Sequence, residues 1–151
     1  MSPMTDEQRD SFLAEPRVAV LGIGRGDTGP LLAPIWYRYE QGAFLLCMSG
    51  SSAKARRLAA AGRATLCVQA EDYPYRYVVA EGPVSLRELG PQTHPVSLRE
   101  LGPQTHPVIR ALASRYLGDD AGLRYADSFA AADEILVTLT PARLQAEVPG
   151  R

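Results

Sequence analysis

The segment Met48 to Arg57 (MSGSSAKARR) holds the densest set of groups able to do chemistry. An apolar run, Ala43 to Ser49, ends at Gly50, which permits a tight turn, and strong helix formers follow from Ser51 to Ala61 with Gly62 as the stop. The first amides of a helix lack intrahelical acceptors and sit at the positive end of its dipole, so they suit anions. Ser51 and Ser52 add hydroxyls there, while Lys54 and Arg57 stand three apart on one helix face. Two readings fit: a compact phosphate cradle, or an ordinary serine-capped helix with solvated basic residues. The glycine spacing and Lys-Ser/Thr ending of the nucleoside-triphosphatase phosphate loop are missing. Lys54 also stands out by rarity. Of 16 basic residues 15 are arginine, and Lys54 is the sole lysine. Chance accounts for that, or else a position where a compact ammonium does what a planar guanidinium does not.

A second candidate is Ala33-Pro34-Ile35-Trp36-Tyr37. A proline inside a strand demands an edge, a bulge or a break, and it frees nearby backbone groups to meet the polar edge of a planar ligand. Trp36 and Tyr37 either wall such a ligand or serve as core and interface aromatics. Tyr73, Tyr75 and Tyr77 alternate at a strand start, which would put their rings on one face. Cys47 and Cys67 lie in apolar strands and read as inert core residues. The two histidines, His94 and His106, are copies of one another: Pro83 to His94 (PVSLRELGPQTH) recurs unchanged as Pro95 to His106. They count as one residue in a proline-flanked loop, which argues against a metal pair or histidine-based acid–base catalysis.

The elements around these groups follow from periodicity and turn chemistry. Thr5 to Glu15 reads as a capped helix ended by Pro16. Strands are expected over Arg17–Arg25, Leu31–Glu40, Ala43–Ser49, Arg63–Ala70, Arg76–Leu86 and Glu134–Thr140, with helices over Val108–Leu117 and Asp119–Ala132. Hairpin-linked strands with one interrupting helix point to a β-barrel rather than an α/β sheet. A chain of 151 residues suits one domain, 1–151, and 46% hydrophobic against 22% charged residues excludes wholesale disorder. Net charge −1 gives no footprint for nucleic acid, and no apolar run approaches a membrane span, so a cytoplasmic protein is expected.

The order of these segments, RVAVLGIGRGDTGPLLAPIWYRYE, FLLCMSGSSAKARRL, RATLCVQAEDYPYRYVVAEGPV and RYLG, resembles the pyridoxamine 5'-phosphate oxidase-like superfamily. Its actinobacterial branch of flavin- and deazaflavin-dependent oxidoreductases is the nearest likeness, over roughly residues 8 to 86. The resemblance implies a mainly β fold, a six-stranded split β-barrel (the FMN-binding split barrel) with flanking short helices. It also implies a homodimer that holds FMN or coenzyme F-420 across its interface and acts on a small-molecule substrate. By position, Ser52-Ala53-Lys54 matches the family's Ser-x-Lys phosphate motif, with Arg57 and Arg56 as auxiliary contacts. Met48 and Ser49 fall where the flavin and its ribityl chain are lined, and Pro34, Ile35 and Trp36 match the strand beside the ring. The residues that grip substrate phosphate in true pyridoxamine phosphate oxidases are not evident, which argues against vitamin B6 synthesis. No acid–base pair stands out, so a non-catalytic FMN/F-420-binding or cofactor-storage protein is the alternative to hydride transfer.

The duplication carries its own expectation. Identical copies cannot both be fitted to one set of neighbours, and an added surface loop costs only about 1 kcal/mol or less. Deleting residues 95–106 should change the unfolding free energy by less than about 2 kcal/mol in chemical denaturation. A larger loss would show that the second copy is built into the fold.

Overall fold

Polar caps and alternating apolar residues divide the chain into short helices and long strands. The computed structural model describes residues 1–89, 107–127 and 133–150. Strand β1 (Ser2–Pro3) precedes helix α1 (Asp6–Ala14), then come β2 (Ala19–Arg25), β3 (Thr28–Ile35), β4 (Arg38–Glu40) and β5 (Ala43–Ser49). Helix α2 (Ala53–Ala61) leads into β6 (Arg63–Gln69) and β7 (Tyr77–Glu88). Helices α3 (Pro107–Leu117) and α4 (Asp119–Asp127) and strands β8 (Glu134–Leu139) and β9 (Arg143–Val148) follow. Thr5 and Gln8 close a reciprocal capping box on α1, with bonds of 2.9 and 3.2 Å. Gly62 ends α2 in the left-handed conformation, φ 69°, its N–H donating to the Leu58 carbonyl.

The strands form one antiparallel sheet in the order β3-β2-β6-β7-β8-β5-β4, and β9 pairs with both β7 and β1. Its edges β3 and β4 are separated in the chain only by Trp36 and Tyr37. Three Cα–Cα steps reach about 11 Å at most. The sheet must therefore curl until its two edges nearly meet, and the result is a barrel split at that link. Alternation fills it: Phe44, Leu46 and Met48 of β5 and Ile135, Val137 and Leu139 of β8 point into the main core. Leu136, on the opposite face of β8, packs with Ile109, Ala113 and Ala126 beneath α3 and α4.

The split is pinned from α3. Tyr37 is wholly buried and its hydroxyl donates to the Leu13 carbonyl at 3.2 Å. Arg115 lies over the Tyr37 ring and donates to the carbonyls of Leu13, Ala14 and Glu15 at 2.7–2.8 Å, capping the end of α1. The Tyr116 hydroxyl donates to the Arg17 carbonyl at 2.6 Å and accepts the Tyr37 amide at 3.2 Å.

Several sequence expectations change. The single strand over Leu31–Glu40 is two strands, broken just after Pro34 at the link. The described residues hold nine strands rather than six, because β1, β9 and the β3/β4 division were not foreseen. The strand expected over Arg76–Leu86 runs two residues further, to Glu88, so that the start of the first repeat copy, from Val84 on, pairs with β8. The second copy, His94 and His106 lie outside the described residues, as does the end of the helix expected to reach Ala132. Tyr73 and Tyr75 sit in an exposed loop, edge to face at 6.1 Å, and not on a strand. No helix of the described residues is long and apolar enough to cross a membrane.

Strand β7 serves both halves of the sheet, and Gly82 is where it changes partners. Tyr77–Glu81 pair with β9 and Val84–Glu88 with β8. The β8–β9 connection straddles this point, with Thr140 N donating to Pro83 O and Ala142 N to Glu81 O. A Cβ on Gly82 would lie 2.1 Å from the Thr140 carbonyl oxygen, whereas one on Gly24 meets nothing within 4 Å. Gly82→Ala should therefore cost at least about 3 kcal/mol of unfolding free energy, and Gly24→Ala less than about 1. Equal midpoints in urea denaturation would contradict this.

Candidate functional site

The ends of β3 and β5, the start of β8 and the opening of α2 meet beneath α3 and α4 around a cavity of about 430 Å³. Seven of the eight residues expected from sequence line it: Pro34, Ile35, Trp36, Met48, Ser49, Ser52 and Lys54. Arg57 is not among its lining residues. Val18, Ile109, Leu112 and Ala113 supply further apolar wall, and Cys47, Tyr125 and Glu134 complete it. Tyr37, the other aromatic of the link, points into the core and takes no part.

Each lining residue is held by its element. Pro34 lies on an edge strand, where its missing N–H interrupts no second ladder. Trp36 stacks on Tyr116 with centroids 4.9 Å apart and 6° between planes, and Tyr125 approaches it at 5.1 Å. Ser52 is the N-cap of α2: its hydroxyl accepts from Ala55 N at 3.1 Å and donates to Ser49 O at 2.7 Å. Both of its roles are thereby used. Ala53 and Lys54, in the first turn, keep amides without intrahelical acceptors.

The turn before the helix already holds an anion of the chain itself. The Asp133 carboxylate accepts from the hydroxyls of Ser49 and Ser51, the latter at 2.7 Å, and from Ser51 N at 3.4 Å. These bonds hold its carboxyl below the ordinary 3.8. Gly50 donates its N–H to the Asp133 carbonyl at 2.6 Å, and a Cβ there would come within 3.1 Å of the same oxygen. The serine hydroxyls of this turn are thus already engaged, and Lys54 is the basic side chain among the residues lining the cavity.

Sequence reasoning missed Glu134. It is paired in register with Ser49 and is the one charged side chain, among the described residues, with less than a tenth of its surface exposed. Burial raises its carboxyl above the ordinary 4.5, the Asp133 charge adds to this, and Lys54 opposes it. The available signal was a lone acid opening an otherwise apolar strand, EILVTL, but nothing in one sequence supplies the register. Cys47 faces the same group: burial first, and Glu134 second, push its thiol up to about 12. It stays a thiol at neutral pH, as expected of an inert cysteine. Burial raises Cys67 as well.

No protein-family model matches the sequence, and no curated protein does. Solved structures do match. An F-420 reductase superposes with a TM-score of 0.66 at 20% identity, over 89% of this chain and 94% of that one. A Listeria innocua protein assigned as a pyridoxamine 5'-phosphate oxidase gives 0.63 at 12% identity, over 93% and 95%. The FAD and heme binding protein of Mycobacterium smegmatis gives 0.64 at 17% identity, over 97% and 72%. The chain has the pyridoxamine 5'-phosphate oxidase-like split-barrel fold. In this split barrel the cavity opens where the link crosses between sheet edges.

Glu134 gives the site a pH signature. The folded chain binds its proton more tightly than the unfolded chain does, so the stability it contributes is complete below 4.5 and is lost as pH rises through the elevated folded value. Glu134→Gln removes that loss. The unfolding free energy of the variant should gain on that of the wild type between pH 4 and pH 8, measured by urea denaturation in matched buffers. A constant difference, or a gain for the wild type, would contradict the burial effect.

Proposed function

We propose that this split barrel is a flavin- or deazaflavin-dependent oxidoreductase that binds FMN or coenzyme F-420 in the cavity and reduces or oxidises a small conjugated or heterocyclic substrate. The observation that carries the reading is the convergence of the sole lysine, at the opening of α2, and the Trp36 wall on one largely apolar cavity. An apolar slot with one cationic end suits a planar ring bearing a phosphate tail. Such a ring, when bound, supplies hydride chemistry, and the protein's part is to bind, orient and keep water out. Trp36, Ile35 and Met48 give the ring an apolar surface, and Lys54 anchors the anionic tail. The presence of Glu134 in the wall supports catalysis over storage, because it offers an ionisable group that reading the sequence did not bring to the site.

The proposal includes a second copy of the chain. Pro34, Val20, Cys67 and Val79 form one cross-strand row on the outer face of the sheet, with Leu32 and Val18 beside it. Val18, Val20 and Leu32 are 52, 41 and 65% exposed, an apolar face that a homodimer would cover. Since Val18 and Pro34 also line the cavity, the partner would border the ligand.

Charge-assisted hydrogen bonds contribute about 1.5–3 kcal/mol, so Lys54→Ala should weaken FMN and F-420 binding by roughly 10- to 150-fold. Lys54→Arg should recover part of it. Riboflavin, without the phosphate, should bind both proteins alike. Dissociation constants from fluorescence titration decide the matter. A change of less than about twofold with every ligand would mean that Lys54 is only a solvated helix residue.

A further inference from the structure

Glu134 and Lys54 line the same cavity from opposite elements, β8 and α2. The groups around Glu134 are few. Asp133 precedes it on the chain, Lys54 reaches in from α2, the Cys47 thiol faces it from β5, and Tyr125 lines the same space from α4. The α3 residues that line the cavity are Ile109, Leu112 and Ala113, and on the β7 side Leu89 N donates to the Glu134 carbonyl at 2.9 Å. Among the described residues Lys54 is thus the one cation of this wall, and its charge opposes the effect of burial and of Asp133 on Glu134. An anionic ligand group settling on Lys54 takes that compensation away and brings a like charge close to Glu134. Because Glu134 is itself buried in the wall, a second negative charge beside it is poorly screened, and the weaker acid takes a proton. Asp133 is held ionised by its serine bonds, so the proton goes to Glu134.

We propose that Glu134 makes ligand binding proton-linked: an anion bound at Lys54 protonates Glu134, and the cavity thereby selects for anionic ligands as pH falls. The neutral carboxyl then also offers a hydrogen-bond donor to the polar edge of whatever ring occupies the apolar wall. The proposal deepens the cofactor reading, but its anion half rests on the cavity alone.

Calorimetric titration of the full chain with FMN, and separately with inorganic phosphate, in two buffers of different ionisation heat between pH 5 and pH 8 reads proton uptake directly. The wild type should take up as much as about one proton per anion bound, beyond what the ligand itself exchanges. Glu134→Gln, which imitates the protonated acid, should lose that uptake, bind both probes roughly tenfold more tightly than the wild type at pH 8, and match it at pH 5. Asp133→Asn should retain the uptake. Equal uptake in wild type and Glu134→Gln, or uptake lost in Asp133→Asn and kept in Glu134→Gln, would overturn the assignment. Glu134-dependent uptake with phosphate, in a chain that binds neither FMN nor F-420, would keep this inference and sink the flavin reading. FMN binding without Glu134-dependent uptake would do the reverse, and failure to bind FMN, F-420 and phosphate alike would overturn both. If Glu134→Gln fails to fold, absence of any uptake by the wild type is enough to reject the proposal.

Discussion

The two-residue link Trp36–Tyr37 joins opposite edges of one sheet, and both the barrel and the cavity depend on it. Its length forces the curl. Its two side chains then point to opposite sides, as successive residues of an extended chain do. Tyr37 goes inward, where burial first, and the Tyr116 charge second, push its phenol up to about 12, so it stays a neutral hydrogen-bond donor. Trp36 goes outward to stack on Tyr116 and wall the cavity. Tyr116 and Arg115, adjacent on α3, hold the link and the end of α1 together, so anything that loosens this junction loosens the cavity wall as well.

Electrostatics divides the other end of the cavity into two parts. Asp133 saturates the Ser49–Ser51 turn, which gives that turn a structural job and keeps β8 in register with β5. Lys54, in the first turn of α2, lines the cavity. The helix opening thus has two parts: Ser52 caps α2, and Lys54 lines the cavity. The near-neutral net charge of the chain conceals this local arrangement completely.

Much of this was legible before any coordinates. The hairpin-linked strands and the helix expected over Ser51–Ala61 followed from local rules of turn, cap and period, whereas the family resemblance was what joined Pro34, Trp36 and Lys54 in one site. What was not legible depends on register and on distance in sequence. Glu134 and Ser49 are 85 positions apart, and only strand pairing makes them neighbours. Strand β9, RLQAEV, does alternate polar and apolar residues, and Leu144 and Ala146 pack against the core, but six residues of modest hydrophobicity are a weak signal until β7 offers them an open ladder. Arg57 fell away for a simpler reason: residues three apart on a helix are about 60° apart around it, enough for one to reach a cavity that the other misses. The start of the first repeat copy belongs to β7, as the strand expected to Leu86 implied, and the second copy lies outside the described residues.

Trp36 is the only tryptophan of the chain, and its ring stands in the cavity wall. Its emission therefore reports on this cavity and on no other surface. Titrating the protein with FMN and with F-420 at neutral pH, while following Trp36 fluorescence, tests the central claim most directly. A ring that enters the slot should quench Trp36 saturably, with the same dissociation constant that the ligand's own signal gives, and Tyr116→Ala should weaken both together. Ligand binding that leaves Trp36 emission unchanged would contradict the account.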